Sequence, residues 1–369
     1  MTKSKKKQKK RGALASASGE ASGFASQKQK QNIDALIDEA QSAIDSFTYD
    51  EAIEKLKDVL NSSPNHEKAL EMLAGVYIEQ SDWNEAQNLL KQCVTVSPDT
   101  GYTKYFSLGQ LTDGEESVSF YQKGIEILQK ELENCENLQP AEETDKKVLM
   151  KDLSNAYCSI SETYMTDLCF AENSEQHCVS AIELAIQADP SNSEAHQCKA
   201  NYHLVKEEFD EAKTAMEKSL SLWLPHHEAL RDADTEAILN STEVLIPSYD
   251  SRIQTAKMLI ELEMFDQATN ILDGLVEEDD EVTEVWYILG WMNYIQGDEY
   301  KLNAHYYLKK AKEVSVKLGL EDLDYISHID ELLKELEEAF PLELEEEGDG
   351  EELNSDISSD SEDENKMET

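Results

Sequence analysis

The amino-acid sequence predicts an all-α fold in which helix pairs stack into a helical-repeat superhelix. Apolar residues of the central region recur at spacings of three and four, and no strand-plus-turn pattern interrupts them. The segment YDEAIEKLKDVLNSSP, from Tyr49 to Pro64, returns 34 residues later as WNEAQNLLKQCVTVSP, from Trp83 to Pro98. A unit of this length cannot bury its apolar face alone, so the copies must stack on one another. The formal net charge of −45 fits an elongated body with extensive solvent-facing surface.

The first two units, residues 33–66 and 67–100, each place an apolar stripe on both of their helices. The small alanines in these stripes let paired helices approach closely. Pro64 and Pro98 end the second helices, because the proline ring lacks an N–H and disfavours helix at the preceding residue. The stripes consist of Leu36, Ala40, Ala43, Ala52, Leu56, Val59 and Leu60 in the first unit, and Leu70, Leu73, Ala74, Tyr77, Trp83, Ala86, Leu90 and Cys93 in the second.

The third copy departs from the regular pattern. It keeps Leu108, Gly109 and Tyr121 but shortens the turn between its helices, and its second helix runs on toward Glu133. A polar linker that contains Pro140 follows. We therefore expect a longer second helix in this copy and a break in the chain's periodicity after it.

Four further copies follow the linker, which makes about seven helix pairs in all. The fourth has a lengthened turn near Asn173, the fifth is nearly regular, and residues 224–247 form a spacer that breaks the period before the sixth. The seventh opens with Trp286, Leu289 and Gly290. A last amphipathic segment suits a capping helix over the final core face. Its apolar side consists of Leu323, Ile326, Ile329, Leu332 and Leu333.

The repeating pattern resembles the tetratricopeptide repeat. In the first helix of each pair, a large residue is followed by a Leu, then by either Ala or Gly, and then by a Tyr. In the second helix, an Ala is followed by either Leu or Phe, then by a second Ala, and the copy closes with a Pro. The resemblance extends from Ile33 to the region of Phe340. It implies a concave groove, lined by the first helix of each pair, that receives an extended peptide or a partner helix.

The order of the degenerate copies, together with a basic start and an acidic end, is similar to the fungal family of assembly chaperones dedicated to the fourth large-subunit ribosomal protein. This resemblance spans essentially the whole chain, although its single motifs are generic to the repeat. It implies that the protein captures a newly made, strongly basic ribosomal protein through an extended loop. It also implies that the complex is escorted into the nucleus for ribosome assembly, with the chaperone in both cytoplasm and nucleus.

The two ends of the chain are predicted to be disordered. Residues 1–30 form a basic tail, residues 31–340 the repeat superhelix, and residues 341–369 an acidic tail with 13 acidic residues and one lysine. The basic cluster is interpreted as a nuclear localisation signal that an import receptor reads, rather than a plain solubilising or RNA-touching tail. This signal consists of Lys5, Lys6, Lys7, Lys9, Lys10 and Arg11.

Positions of the family's groove carry acidic side chains and an aromatic patch in this sequence. An acidic groove attracts a lysine- and arginine-rich partner and repels nucleic acid, so the repeat body is not expected to bind nucleic acid. The heat-shock chaperone clamp needs basic and amide residues where this chain has Ile37, Gln41, Glu71 and Gly75, which argues against that role. The predicted groove residues are Asp34, Asp45, Glu71, Glu79, Glu162, Glu194, Asp250, Glu261, Tyr287, Trp291 and Tyr294.

Motifs for catalysis are lacking in the sequence. There is no phosphate-binding loop, and the nearest approach to a metal site, His196 with Cys198 and His203, has no fourth ligand. We therefore expect no enzyme activity, no cofactor and no metal. The six cysteines form no C-x-x-C pair and are interpreted as reduced thiols. No apolar run is long enough for a membrane span, and the first thirty residues lack the apolar stretch of a signal peptide.

Two alternative functions share parts of this pattern. An acidic histone chaperone has the same charge but binds histones in competition with DNA, whereas a scaffold subunit of an RNA-processing complex co-purifies with large neutral partners. The expected state of the chain is a monomer. The ribosomal-protein chaperone remains the preferred hypothesis because the order of the degenerate copies, taken with the basic start and the acidic end, resembles that family.

Overall fold

The computed structural model describes residues 31–135, 143–231, 246–320 and 324–339. The predicted tails and most of the predicted spacer lie outside these ranges. All regular secondary structure within them is helical, which confirms the all-α prediction. The helices are α1 (31–45), α2 (Tyr49–Ser62), α3 (Glu67–Glu79), α4 (Trp83–Val96), α5 (Thr103–Gln110), α6 (Gly114–Cys135), α7 (Glu143–Met165), α8 (Ser174–Ala188), α9 (Ser193–Val205), α10 (Phe209–Ser221), α11 (Leu224–Arg231), α12 (Tyr249–Glu261), α13 (Phe265–Glu278), α14 (Thr283–Gln296), α15 (Lys301–Leu318) and α16 (Asp324–Ala339).

The ends of these helices follow local side-chain chemistry. The His66 imidazole accepts a hydrogen bond from a backbone N–H of α3 at 3.3 Å, and the Asp82 carboxylate accepts one from α4 at 3.4 Å. Each side chain thereby satisfies an N–H group that has no partner inside its helix. At the other end, α2 and α4 stop two residues before Pro64 and Pro98, as predicted, and α8 stops two residues before Pro190 in the same way.

The described residues up to Leu222 form one compact unit made of five helix pairs. Ala40, Ala52 and Leu56 are completely buried where the first two pairs meet, as the apolar stripes predict. Trp83 of the second predicted stripe is the exception, since it lies at the first position of α4 and is 52% exposed. In the third and fourth pairs the long helices α6 and α7 share a core that includes Leu128 and Leu153. This shared core explains the extension of α6 beyond the length of a regular copy.

The described residues from Trp223 onward form a second compact unit. It contains α11, two helix pairs, and α16, whose Ile329, Leu332, Leu333 and Leu336 are buried against α15. The sequence predicts this amphipathic segment as a cap, and the packing of its apolar side agrees with that role.

Helix α11 differs from the prediction of a spacer over residues 224–247. Trp223 and Leu224 are buried, and the Arg231 guanidinium donates to both carboxylate oxygens of Glu277 at 2.6 and 2.8 Å. It also donates to the Asn270 side chain at 3.0 Å. These long-range contacts stabilise a helix of eight residues that would be marginal alone in water.

Two glycines of the first unit are expected to respond oppositely to alanine. A Cβ at Gly109 would lie 2.6 Å from the buried ring of Tyr121, whereas a Cβ at the exposed Gly75 would meet nothing within 4 Å. We expect Gly109→Ala to lower the free energy of unfolding by about 1–3 kcal/mol through overpacking. Gly75→Ala should raise it by about 0.5–1 kcal/mol because alanine favours a helix interior. Urea unfolding followed by circular dichroism measures both, and a change of the same sign at both positions would contradict this packing.

Candidate partner-binding surface

The predicted groove residues differ in how far the structure exposes them. Six are exposed on the first helices of their pairs, while Glu194 and the carboxyl end of Glu71 are partly enclosed. The exposed six are Asp34 and Asp45 on α1, Glu79 on α3, Glu162 on α7, and Asp250 and Glu261 on α12.

Glu71 has an unusual environment for a carboxylate. Its Oε1 atom is shielded from solvent and forms no hydrogen bond with any residue of the described ranges. Burial raises the pKa of the Glu71 carboxyl, and the nearby Lys104 ammonium only partly opposes this effect. An ionised carboxylate without full solvation or a partner costs free energy. The ionised Glu71 carboxylate therefore lowers the stability of the folded chain.

Lys104, at the start of α5, is the buried cation of this region and was not among the predicted residues. Its side chain is 0% exposed, and its Nζ donates to Glu67 Oε1 and to Ser97 Oγ, both at 2.7 Å. Burial raises the pKa of Glu67, but the hydrogen bonds from Lys104 and Ser97 lower it overall. Lys104 lies one helical turn before the buried Leu108, so helical spacing alone places it on the core side.

The raised pKa of Glu71 predicts a pH-dependent gain in stability for Glu71→Gln. Because its folded-state pKa lies above the ordinary value of 4.5, the folded chain is penalised while the group is ionised. The variant should therefore unfold at higher urea than the native chain at pH 7, and this difference should shrink as the pH falls through the raised folded-state pKa and be lost once the pH is below 4.5. Glu79→Gln removes a charge from an exposed position of the same helix and is the matched control. Equal responses of the two variants would contradict a burial penalty at Glu71.

Glu162 on α7 and Glu194 on α9 come close together in the first unit. Although Glu162 is an exposed residue as a whole, its carboxyl bends inward, where the buried Cys198 thiol donates to Oε1 at 3.6 Å. Burial raises the pKa of Glu162, and the charge of Glu194 raises it further. The structure thus places two of the predicted groove carboxylates within electrostatic reach of each other.

The aromatic residues of the prediction have intramolecular partners in the second unit. Tyr287, Trp291 and Tyr294 are half-buried and pack against the α15–α16 core. The Tyr287 ring stacks on Tyr325 with centroids 5.2 Å apart, and the Tyr294 hydroxyl donates to Glu335 at 2.6 Å. These contacts explain their conformations through packing on the capping helix, and their role in partner binding stays a prediction.

His196 and His203, which the sequence suggests as possible metal ligands, each contact a different group of the protein. His196 Nε2 lies 3.1 Å from the Pro190 carbonyl oxygen, and His203 Nδ1 lies 2.7 Å from a Glu208 oxygen. The described ranges contain no cluster of three or more histidine, cysteine or acidic residues that could hold a metal ion. In the same ranges no helix is long and apolar enough to cross a membrane. The predicted localisation signal lies outside the described residues.

Comparison with known proteins identifies the repeat. A family model described as "Tetratricopeptide repeat" matches residues 43–101. The solved structure titled "Assembly Chaperone of RpL4 (Acl4) (Residues 1-338)" superimposes with a TM-score of 0.62 at 24% identity, over 72% of this chain and 97% of that one. This likeness shows that the helical-repeat fold is shared.

Two curated fungal relatives cover most of the chain. "Probable assembly chaperone of rpl4" from Schizosaccharomyces pombe is 34% identical over 304 residues, which span 77% of this chain and 84% of the relative. The protein of the same description from Emericella nidulans is 25% identical over 282 residues, which span 72% of this chain and 66% of the relative. Both relatives are thus described as probable assembly chaperones. The chain therefore belongs to the same family of tetratricopeptide-repeat proteins as the assembly chaperone of rpl4 from Schizosaccharomyces pombe.

Proposed function

We propose that this protein is a dedicated chaperone that binds a newly made, strongly basic ribosomal protein of the large subunit. The relatives in its family are described as assembly chaperones of rpl4, so the client we propose is the corresponding protein, the fourth of the large subunit. The first-helix surface that carries the predicted carboxylates receives an extended basic loop of this client. Binding keeps the client soluble until it is assembled.

The observation that carries this proposal is the enclosed carboxylate of Glu71. A residue that serves only the fold would not keep an unpaired, partly desolvated charge, because a neutral side chain of similar size costs less there. A lysine or arginine of the client can approach the half-exposed Glu71 side chain from the solvent side, and its positive charge then offsets this penalty. The exposed carboxylates on α1 and α3 supply the surrounding field that speeds the encounter with a cationic segment.

The chaperone binds its client in the cytoplasm as a monomer, and an import receptor reads the basic cluster between Lys5 and Arg11. The complex then enters the nucleus, where the client joins the assembling subunit. Neither a membrane nor a nucleic acid takes part in the interaction of the repeat body with its client.

Affinity purification of the tagged full-length chain under a high-salt wash, followed by mass spectrometry, tests this function. We expect the fourth large-subunit ribosomal protein as the main co-purifying protein, with about one copy per chain. Histones in its place would support an acidic histone chaperone instead. Large neutral proteins of an RNA-processing complex would support a scaffold subunit, and recovery of no basic protein would overturn the chaperone proposal.

A further inference from the structure

The turns that join the two helices of each pair lie along one edge of the first compact unit, which we name the turn edge. Paired helices run antiparallel, so each of these turns falls on the same side of the stack, and the connections from one pair to the next fall on the opposite side. The turns of this edge are residues 46–48, 80–82, 111–113, 166–173 and 206–208.

Contacts between neighbouring pairs join these turns from the first pair to the fifth. Ala43 of α1 and Val76 of α3 share one buried cluster near the ends of their helices. Each later pair is joined to the next by a hydrogen bond or an ion pair between residues in the turns or next to them. These contacts are the Gln87 amide with the Leu111 carbonyl at 3.1 Å, the Gly114 N–H with the Asp167 carboxylate at 3.0 Å, and the Lys206 ammonium with Glu175 at 2.7 Å.

Every exposed Phe, Trp or Tyr side chain that the structure describes in the first unit lies on the turn edge. Phe47 and Phe170 are within turns and are 78% and 99% exposed, and Trp83 and Phe209 are the first residues of α4 and α10. A single exposed apolar residue is ordinary on a protein surface. The grouping of all four on one edge is typical of an interaction surface, and the packing of the repeat does not explain it.

The backbone of Phe47 supports a role outside the fold. Its φ angle is 56°, in the left-handed region that a bulky residue rarely adopts. The turn requires this conformation, because Ser81 and Glu207 have it at the equivalent positions of the second and fifth pairs. Asparagine or glycine adopts it at lower cost, and the exposed Phe47 ring gains little from its edge-on contact with Tyr49 at 6.3 Å. A contact of the ring with a partner accounts for phenylalanine at this position.

Exposed carboxylates lie within two residues of each of these aromatic side chains. A guanidinium group stacks on an aromatic face and donates hydrogen bonds to a carboxylate, whereas a lysine ammonium is a compact, strongly hydrated charge. The turn edge therefore offers both kinds of group that an arginine side chain contacts. The neighbouring carboxylates include Asp45, Asp82, Glu85, Glu172, Asp210 and Glu211.

We propose that the turn edge binds arginine side chains of the client's extended basic loop. This inference rests on the proposed function and adds to it a second surface and the type of residue that this surface recognises. Asp45 and Glu79, two of the exposed groove carboxylates, immediately precede two turns of the edge. A basic segment that is bound at those carboxylates therefore continues onto Phe47 and the other rings along the surface of the first unit.

Replacement of the two most exposed rings tests the aromatic contact. The variant combines Phe47→Asn and Phe170→Asn in the full-length chain, and isothermal titration calorimetry measures its binding to the recombinant fourth large-subunit ribosomal protein. We expect the affinity to fall about 5- to 30-fold, which corresponds to about 0.5–1 kcal/mol for each lost contact. Leu184→Gln removes an exposed apolar side chain further along α8 and should leave the affinity unchanged. Unchanged affinity in the double variant would overturn the inference, whereas binding of the client to the native chain would still support the proposed function.

Unfolding in urea distinguishes this role of Phe47 from a structural one. Phe47→Asn alone should raise the urea midpoint of the full-length chain, because asparagine adopts the left-handed conformation more readily. A gain in stability together with a loss of affinity is not expected of a residue that serves the fold. A lower midpoint would show that Phe47 stabilises its turn and would overturn its assignment to the client.

A recombinant client whose loop arginines are replaced by lysine tests the residue type at constant charge. The native chain should bind this form about 5- to 10-fold more weakly, because lysine does not stack on aromatic rings as arginine does. The double variant should distinguish the two client forms by less than about twofold, since the rings are gone. Equal losses in the native chain and the double variant would overturn the arginine contact at this edge. Absence of binding between the native chain and either client form would overturn the proposed function, and this inference with it.

Discussion

Ala52→Glu is expected to lower the free energy of unfolding of the first helix pair by about 3–5 kcal/mol. Ala52 is 0% exposed and packs with Ala43 of α1 and Val76 of α3. A glutamate at this position adds volume to a close helix crossing and buries a carboxylate among apolar groups. The partly buried side chains packed against this cluster are Ile44, Tyr49 and Ile53, and none of them carries a charge that could compensate the carboxylate. The loss is larger than that expected from either glycine variant.

Hydrogen exchange of the backbone amides measures this loss where it occurs. The amides of α1 and α2 should lose protection, while those of α12–α15 keep it, since the latter belong to the other compact unit. Asn61→Glu adds the same charge at an exposed position of α2 and should change stability by less than about 0.5 kcal/mol. Native-like protection of α2 in Ala52→Glu would show that Ala52 does not fill the helix crossing.

Most of the fold follows from local spacing in the sequence. The 34-residue period and the stripes containing Ala52 and Leu56 predict helix pairs, and Pro64 and Pro98 predict where second helices end. These features are predictable because each depends on residues within one or two turns of a helix. The helix α11 was missed because its stability depends on Glu277 and other residues about forty positions away in the sequence.

The candidate site is predictable only in part, because contacts between residues that are distant in the sequence decide the environment of its side chains. The repeat template assigns Glu71 and Glu79 to one surface, but it does not reveal that the first is enclosed beside Lys104 while the second is exposed. Likewise, the spacing of Tyr287 and Tyr294 predicts a common helix face. It does not indicate that α16 packs against that face. Contacts between pairs decide these environments, and the spacing within one pair carries no information about them.

Reversing the exposed acidic charges of the groove is expected to weaken binding of the basic client by about 10- to 100-fold. The variant combines Asp34→Lys, Asp45→Lys and Glu79→Lys, three positions where the side chain is exposed and a change of charge is tolerated. Each reversal replaces an attraction by a repulsion, and three such changes amount to about 1.4–2.7 kcal/mol at low salt. Glu71 is left unreversed because a lysine there would place a second ammonium beside the buried Lys104.

A second triple variant with the same change in net charge is the control, because it changes the charge of the chain without changing the groove. Glu51, Glu54 and Asp58 are exposed on α2, a second helix, and reversing them to lysine alters the overall field equally. Binding of the recombinant fourth large-subunit ribosomal protein is followed by association kinetics at several salt concentrations. If the groove carries the interaction, only the first variant loses affinity, and mainly through a slower, less salt-dependent association rate. Equal losses in both variants would mean that the net charge of the chain, and not the first-helix surface, attracts the client.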